Sequence, residues 1–259
     1  GACGSVVRVA YMARSGTNAQ RETEVFHGAW DGSASWELTQ ISSNLFDEGA
    51  GHSGATRPDI AVDADGMSHV VWQNARKLDA SFTDRNDIHY FVSGSSGPWV
   101  VNEPCGATED RNAHSPSLAV DPHDDQNRVY VSWIADGGCR AEGQTRSVHL
   151  AYTEGSMGAF EVFVNPVTDF AQFGNHPNRT PAVGLITRSD IPIAERFVVV
   201  GFVTGADIGN SGNDDDVVMR KFSRSGSPVG NISVASEAVA GEDNSLEKSR
   251  EPALGIDAN

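Results

Sequence analysis

The stretch Arg57-Pro58-Asp59-Ile60-Ala61-Val62-Asp63-Ala64-Asp65-Gly66-Met67-Ser68-His69-Val70-Val71-Trp72 decides how the rest of the chain is read. It holds a short apolar strand, an Asp-x-Asp-Gly turn and a second β-rich strand ending on an aromatic ring. An Asp/Gly turn between two β-rich runs is a strong local signal for a hairpin. The stretch recurs. His114-Ser115-Pro116-Ser117-Leu118-Ala119-Val120-Asp121 leads, after a longer turn, into residues 129–133. Arg179-Thr180-Pro181-Ala182-Val183-Gly184-Leu185-Ile186 leads into residues 197–202, and Arg250-Glu251-Pro252-Ala253-Leu254-Gly255-Ile256-Asp257 repeats the first half. From Pro58 to Pro116, Pro181 and Pro252 the intervals are 58, 65 and 71 residues. Self-similarity at a long period is the mark of stacked or radial repeats.

Working outward, Ser5-Val6-Val7-Arg8-Val9-Ala10-Tyr11 supplies the second strand that the last repeat lacks, with Tyr11 where Trp72, Trp133 and Phe202 stand. Joined end to end, Asp257-Ala258-Asn259-Gly1 matches Asp63-Ala64-Asp65-Gly66. The expectation is one domain over 1–259 with four repeats: 252–259 together with 1–56, then 57–113, 114–178 and 179–251. Each repeat continues with a polar loop (13–22, 73–86, 134–146, 204–216) and a third strand (24–27, 87–90, 147–150, 216–219). A fourth strand then opens at Trp36, Trp99, Phe160 or Val229. No segment predicts a helix, and 235–249 reads as a loop. The fold class is therefore all-β: a β-propeller of four-stranded antiparallel blades around a channel. The first strand of each repeat is expected to be innermost and most buried. Pairing of residues 252–257 with 5–12 would close the ring and hide strand edges that invite aggregation. Two β-sandwiches would explain neither the period nor the complementary ends.

The composition suits many short strands joined by many turns: 39% apolar residues and 27 glycines in 259. A net charge of −16 argues against nucleic acid, whose usual footprint is a basic face. No apolar run approaches the ~20 residues of a membrane-spanning helix. Cys3, Cys105 and Cys139 form no CxxC pair, so one disulfide and one free thiol is the simplest count. Cys105 precedes a first strand and Cys139 follows a second, which places both on one face. A Cys105–Cys139 bond with Cys3 free is expected, and with it a secreted or cell-surface location.

The runs Pro58-Asp59-Ile60-Ala61-Val62-Asp63 and Pro116-Ser117-Leu118-Ala119-Val120-Asp121 resemble the repeats of bacterial sialidase-like (Asp-box) propellers. So does Asp31-Gly32-Ser33-Ala34-Ser35-Trp36, which is similar to the turn Ser-x-Asp-x-Gly-x-Thr-Trp between third and fourth strands. Ala29 stands for its first Ser and Ser33 for its Gly, and the other repeats lack it. The resemblance implies the propeller fold, with ligands taken on the face where the loops after the second and fourth strands meet. Sialidases carry an arginine triad, an acidic acid/base and a Tyr/Glu nucleophile pair on six blades. With four repeats and no Phe-Arg-Ile-Pro motif, no catalytic residue is carried over.

The residues just before each innermost strand would ring the channel mouth on that face: Arg57, His114, Arg179 and Arg250. Arginine offers a planar, permanently charged fork suited to carboxylate, sulfate or phosphate. The competing reading is structural, each Arg pairing with a blade carboxylate such as Asp87 or Asp216. The Asp clusters at 63/65, 121/124/125 and 214/215/216 could offer oxygens to calcium, but ordinary turn chemistry accounts for them, and no metal site is assigned. His27, His89 and His149 fall on third strands in registers differing by one residue, which sends them to different faces. HExxH, GxSxG and Walker motifs are absent. Asn178-Arg179-Thr180 and Asn231-Ile232-Ser233 match the glycosylation sequon. The resulting expectation is a secreted, sialidase-like propeller that binds an acidic glycan at its mouth without a cofactor. The alternatives are a glycoside hydrolase or polysaccharide lyase acting on such a glycan, and a protein-interaction propeller.

Overall fold

The computed structural model describes residues 6–15, 22–33, 35–42, 54–76, 85–102, 112–123, 127–136, 146–153, 160–162, 167–168, 173–174, 178–187, 190–206, 208 and 215–235. They form four antiparallel sheets in chain order. The first comprises β1 (Val7–Ser15), β2 (Glu22–Trp30) and β3 (Glu37–Gln40). The second comprises β4 (Ala55–Val62), β5 (Ser68–Arg76), β6 (Arg85–Val92) and β7 (Trp99–Val100). The third is β8 (Ala113–Val120), β9 (Val129–Ala135), β10 (Ser147–Thr153) and β11 (Glu161–Val162); the fourth is β12 (Asn178–Ile186), β13 (Phe197–Thr204), β14 (Asp216–Ser223) and β15 (Ser233–Val234). Every sheet is a meander, each strand pairing with its chain neighbour. No helix among the described residues is long and apolar enough to cross a membrane.

The repeat read from the sequence is thus the repeat of the structure, with adjustments. The fourth strand of the last sheet starts at Ser233 rather than Val229, because Pro228 is taken up in a bridge to Phe222. Strands β1 and β5 run to Ser15 and Arg76, well into segments expected to be loop. Of the residues expected to pair and close the ring, 5–12 and 252–257, the structure describes 6–12; residues 5 and 252–257 lie outside the described residues, as does 236–249.

A cross-strand ring pair recurs where second and third strands meet. Tyr11 stacks on Phe26 at 5.5 Å, Trp72 on His89 at 5.6 Å and Trp133 on His149 at 5.5 Å. Phe202 faces Val218 at the same place. His27 pairs with Ala10 instead, one register away, and leans on Phe91 of the next sheet. Three apolar clusters fill the junctions between consecutive sheets. Val25 and Trp72 join the first to the second, Ile88, Tyr90 and Trp133 the second to the third, and Ile134, Leu150 and Phe202 the third to the fourth. The most buried strand is not the innermost one. All of β9 is buried, whereas only Ala55 of β4 is buried and β8 mixes buried and partly exposed residues. A second strand has partners along both edges and a sheet against each face, while a first strand keeps one edge unpaired within its own sheet.

Local chemistry explains the turns and links. Asp63 Oδ1 accepts the amides of Asp65 (3.0 Å) and Met67 (2.8 Å), while Gly66 supplies the positive φ the turn requires. The other Asp63 oxygen meets His69 Nε2 at 2.9 Å, and His69 Nδ1 meets the Tyr90 hydroxyl at 2.6 Å. All three side chains are buried, so the hairpin turn is tied to the core. Neighbouring inner strands are joined by the residue after each proline. Asp59 Oδ2 accepts the Leu118 amide at 2.8 Å, and Ser117 Oγ accepts the Val183 amide at 3.3 Å. Burial raises the pKa of Asp59 against the lowering effect of these bonds. At the turn end of the sheets, Arg8 donates to the Gly66 carbonyl, Asn127 to Asp65, and Arg196 to the His123 carbonyl.

Candidate functional site

Each innermost strand enters its sheet through a β-bulge at the residue before proline. The pairing skips between Thr56 and Asp59, between His114 and Ser117, and between Arg179 and Ala182. At all three bulges the pre-proline residue is left-handed: Arg57 at φ 53°, Ser115 at 55° and Thr180 at 44°. This is costly backbone for side chains with a Cβ, by about 1–3 kcal/mol each, and it persists because the strands on either side over-determine it. The bulge turns these side chains towards the rim where the loops after the second strands emerge.

The same registers correct the alignment of the predicted ring. Arg57 matches Ser115 and Thr180, whereas His114 and Arg179 match Thr56. The expected ring therefore splits into two tiers, one on the bulge and one a residue before it. The tiers connect: the Arg57 guanidinium donates to Ser115 Oγ, and Ser115 Oγ lies 3.1 Å from His114 Nδ1. His114 Nε2 stands 3.4 Å from Asp136 Oδ2, and the Arg146 Nε stands 3.6 Å from that same oxygen. An unbroken polar chain thus runs Arg57–Ser115–His114–Asp136–Arg146 from the second sheet to the third. Burial by itself would raise the Asp136 carboxyl, but the His114 hydrogen bond and the charges of His114 and Arg146 outweigh it, and its pKa is lowered. Its Oδ1 is buried and meets no donor among the described residues.

Arg179 is engaged within its own sheet. Its two terminal nitrogens meet the Asp215 carboxylate at 2.9 and 3.4 Å, a fork-on-fork pair at the start of β14. The acidic partner is Asp215 rather than the Asp216 expected from sequence. Arg57 differs: it is exposed and has no carboxylate partner among the described residues. Arg146 thus shares the Asp136 carboxylate with His114 and Arg179 holds Asp215, whereas Arg57 meets the Ser115 hydroxyl.

Ser115, Asp136 and Arg146 were not singled out from sequence, and Asp215 was named only within the 214/215/216 cluster, not as a partner of Arg179. Ser115 was within reach, because it stands at the same distance from its proline as Arg57 does. The other three lie where second strands end or third strands begin, and only the folded rim brings them to His114 and Arg179. Arg250, Cys3, Cys105 and Cys139 lie outside the described residues. Asp63 and Asp121 are consumed by turn amides and by His69, Thr187 and Arg196. Among the described residues no group of three or more His, Cys, Asp or Glu could hold a metal ion. The Asn178 sequon is closed to modification in the folded chain: that side chain is fully buried and donates to the Arg146 carbonyl at 2.8 Å. Asn231 is exposed. Asp31 receives the Ser33 amide at 2.9 Å in the Asp-box-like turn, and Trp30 stacks on Trp36 beside it. A shallow pocket lined by Arg8, Asp31, Ser33 and Glu37 lies at that end of the first sheet, remote from the rim.

No protein-family model matches the chain, and no curated protein sequence matches it. Among solved structures it is similar to an α-L-arabinofuranosidase from Lactobacillus brevis, at 11% identity and a TM-score of 0.43 over 86% of this chain and 70% of that one. It is similar to an α-L-arabinanase from Penicillium chrysogenum complexed with arabinobiose, at 12% identity and 0.45 over 81% and 58%. A third likeness is to a polysaccharide lyase, an ulvan lyase bound to -[GlcA(1-4)Rha3S]-, at 14% identity and 0.45 over 88% and 53%. The chain spans between 53% and 70% of the length of these proteins. At these values the likeness assigns the chain neither a family nor an activity.

Proposed function

We propose that this chain is a sialidase-like propeller module, secreted or displayed at a cell surface, that binds a glycan bearing a carboxylate or sulfate at the rim around Arg57. The observation that supports the reading is Arg57 itself. It is an exposed guanidinium held by a serine hydroxyl on a left-handed bulge, with no carboxylate partner among the described residues. One donor is spent on Ser115, and the rest of the fork, which meets no carboxylate among the described residues, is the part offered to an oxyanion. Ser115, His114 and Arg146 add polar groups within one hydrogen-bonded chain, and converging polar groups with fixed geometry are what orient a ligand. Arg179 serves the rim as structure through Asp215.

A second reading, an enzyme that cleaves such a glycan, is favoured by the His114–Asp136 pair, since an imidazole backed by a carboxylate can move a proton. Titration calorimetry of the intact chain with glucuronate-containing and sulfated oligosaccharides tests the first reading. Removing one charge-assisted bond is worth ~1.5–3 kcal/mol, so Arg57→Ala should weaken binding about 10- to 100-fold, while neutral oligosaccharides bind to neither form. Equal binding by Arg57→Ala and the unaltered chain, or no binding by either, overturns it. New reducing ends or unsaturated products in the same mixtures, lost in His114→Ala, would move the assignment to the enzyme.

A further inference from the structure

The bulge of the third sheet differs from the other two in what its side chains do. All three share the left-handed backbone, at Arg57, Ser115 and Thr180, so strain alone singles out none of them. At the third, a hydroxyl lies against an imidazole: Ser115 Oγ is 3.1 Å from His114 Nδ1. The same place in the fourth sheet sets Thr180 after Arg179. That guanidinium is committed to Asp215 and has no lone pair with which to take a proton.

The bonds around Ser115 Oγ fix their own direction. A guanidinium only donates, so the Arg57 bond occupies a lone pair of the serine oxygen. The hydroxyl proton is left for the other neighbour, and a neutral imidazole accepts it at Nδ1. That puts the ring's own proton on Nε2, which faces Asp136 Oδ2 at 3.4 Å. A carboxylate only accepts, so one tautomer suits both ends of the ring. Arg146 Nε stands 3.6 Å from the same oxygen, a permanent positive charge beside the carboxylate that backs the ring. The backbone is tied down too. Gln73 Oε1 of the second sheet accepts the Ser115 amide at 3.4 Å, and Pro116 behind it is buried. Ser115, His114 and Asp136 are partly exposed, which sets the hydroxyl at the rim and not within the core.

We infer that Ser115 is a nucleophile towards carboxylic esters, with His114 as its general base, Asp136 as the residue that positions the ring and Arg57 as the group that receives the oxyanion. The Ser115 oxygen bonds to the ester carbonyl carbon as its proton passes to His114 Nδ1, and the carbonyl electron pair moves onto oxygen. A donor already bonded to Oγ stands beside that oxygen once the new C–O bond forms, which is where stabilisation is needed. The adduct then collapses. The bond to the alcohol oxygen breaks, and the leaving alkoxide takes the proton from Nδ1. Water repeats the sequence on the acyl-serine, releasing the carboxylic acid and restoring the hydroxyl, so water is the one co-reactant. The ring works in the reverse sense to the familiar serine triad, Nδ1 to serine and Nε2 to aspartate, because the serine and the histidine are chain neighbours. Such sets are defined by geometry and role, so the lack of a GxSxG motif does not bear on this one. The activity goes beyond anion binding at the rim and does not depend on it, since a neutral ester calls on the same side chains.

Two experiments on the full chain test it. A fluorophosphonate, from which an activated serine oxygen displaces fluoride, should label the chain at Ser115, as read by peptide mapping. Ser115→Gly removes the hydroxyl and suits the φ of 55°, so it keeps the fold and should lose the label. His114→Gln should slow labelling at least about 100-fold, the lower end of what a general base contributes. Asp136→Asn should slow it too and alter its pH profile; a slower rate with the profile unaltered would remove Asp136 from the set. Hydrolysis of p-nitrophenyl acetate should be lost in Ser115→Gly and in His114→Gln. An unlabelled Ser115, or labelling indifferent to His114→Gln, overturns the inference. Hydrolysis kept in Ser115→Gly but lost in His114→Gln overturns it in favour of attack by the imidazole itself. Labelling of Ser115 in a chain that binds no acidic oligosaccharide upholds the nucleophile and sinks only the function proposed above.

Discussion

At the residue scale, the buried Asp63–His69–Tyr90 chain makes acid sensitivity a property of the core. Neutral His69 donates through Nε2 to Asp63 and accepts the Tyr90 hydroxyl at Nδ1. Burial lowers the His69 pKa more than the Asp63 carboxylate raises it, and His27 is lowered likewise by burial and by Arg8. Their folded pKa values lie below the unfolded value near 6.5, so the unfolded chain binds more protons as pH falls past that point. Stability should hold above about pH 6.5 and decline towards pH 5. Urea midpoints measured from pH 8 to pH 5 should fall, and fall less steeply in His69→Gln; a midpoint rising towards pH 5 contradicts the assignment. Asp59 makes a second case. Its role is to accept the Leu118 amide across two sheets, and burial raises its pKa, so charge is not what it contributes. Asp59→Asn, which keeps an acceptor oxygen, should be nearly neutral in denaturant unfolding. Asp59→Leu leaves a backbone donor unpaired and should cost about 1–3 kcal/mol.

At the element scale, the repeated bulge is the feature that sequence spacing misjudged. Counting back from Pro58, Pro116 and Pro181 to the nearest Arg or His groups Arg57 with His114 and Arg179. Strand pairing groups Arg57 with Ser115 and Thr180, because what repeats is a backbone conformation and not a side-chain type. A pre-proline residue is ordinarily pushed to extended φ and ψ, so nothing local in the sequence announces a left-handed residue there. Thr180, β-branched at φ 44°, holds the least favourable of the three conformations. Thr180→Gly should relieve that strain and, after the entropy glycine gains in the unfolded chain, stabilise by a few tenths to about 1 kcal/mol. Thermal unfolding of the two proteins checks this; a lower midpoint for the glycine variant would show that the Thr180 side chain makes a contact outweighing the strain.

At the scale of the whole molecule, stability resides in the junctions between sheets. Trp133 is fully buried between the second and third sheets and stacks on His149, whereas Trp36 is exposed on a face of the first. Trp133→Ala should cost about 3–5 kcal/mol in equilibrium unfolding. If the first and fourth sheets meet, Trp36→Ala should also cost more than the ~0.5 kcal/mol usual for a surface change. A neutral Trp36→Ala would mean that this face stays open in the isolated chain.

The sequence by itself determined the period, the strand order within each repeat, the turn at Asp63 and the aromatic position shared by Tyr11, Trp72, Trp133 and Phe202. These depend on local alternation and turn chemistry, which act over a few residues and are written in the order of the chain. Tertiary structure alone decided that β9 is buried throughout while β4 is not, that Arg179 is held by Asp215 while Arg57 meets the Ser115 hydroxyl, and that Asp136 stands behind His114. Those outcomes depend on which neighbouring sheet covers a face and on a one-residue shift at each bulge. Burial and ion pairing are set by distance in space, and residues far apart in the chain come within hydrogen-bonding reach only once the sheets have packed.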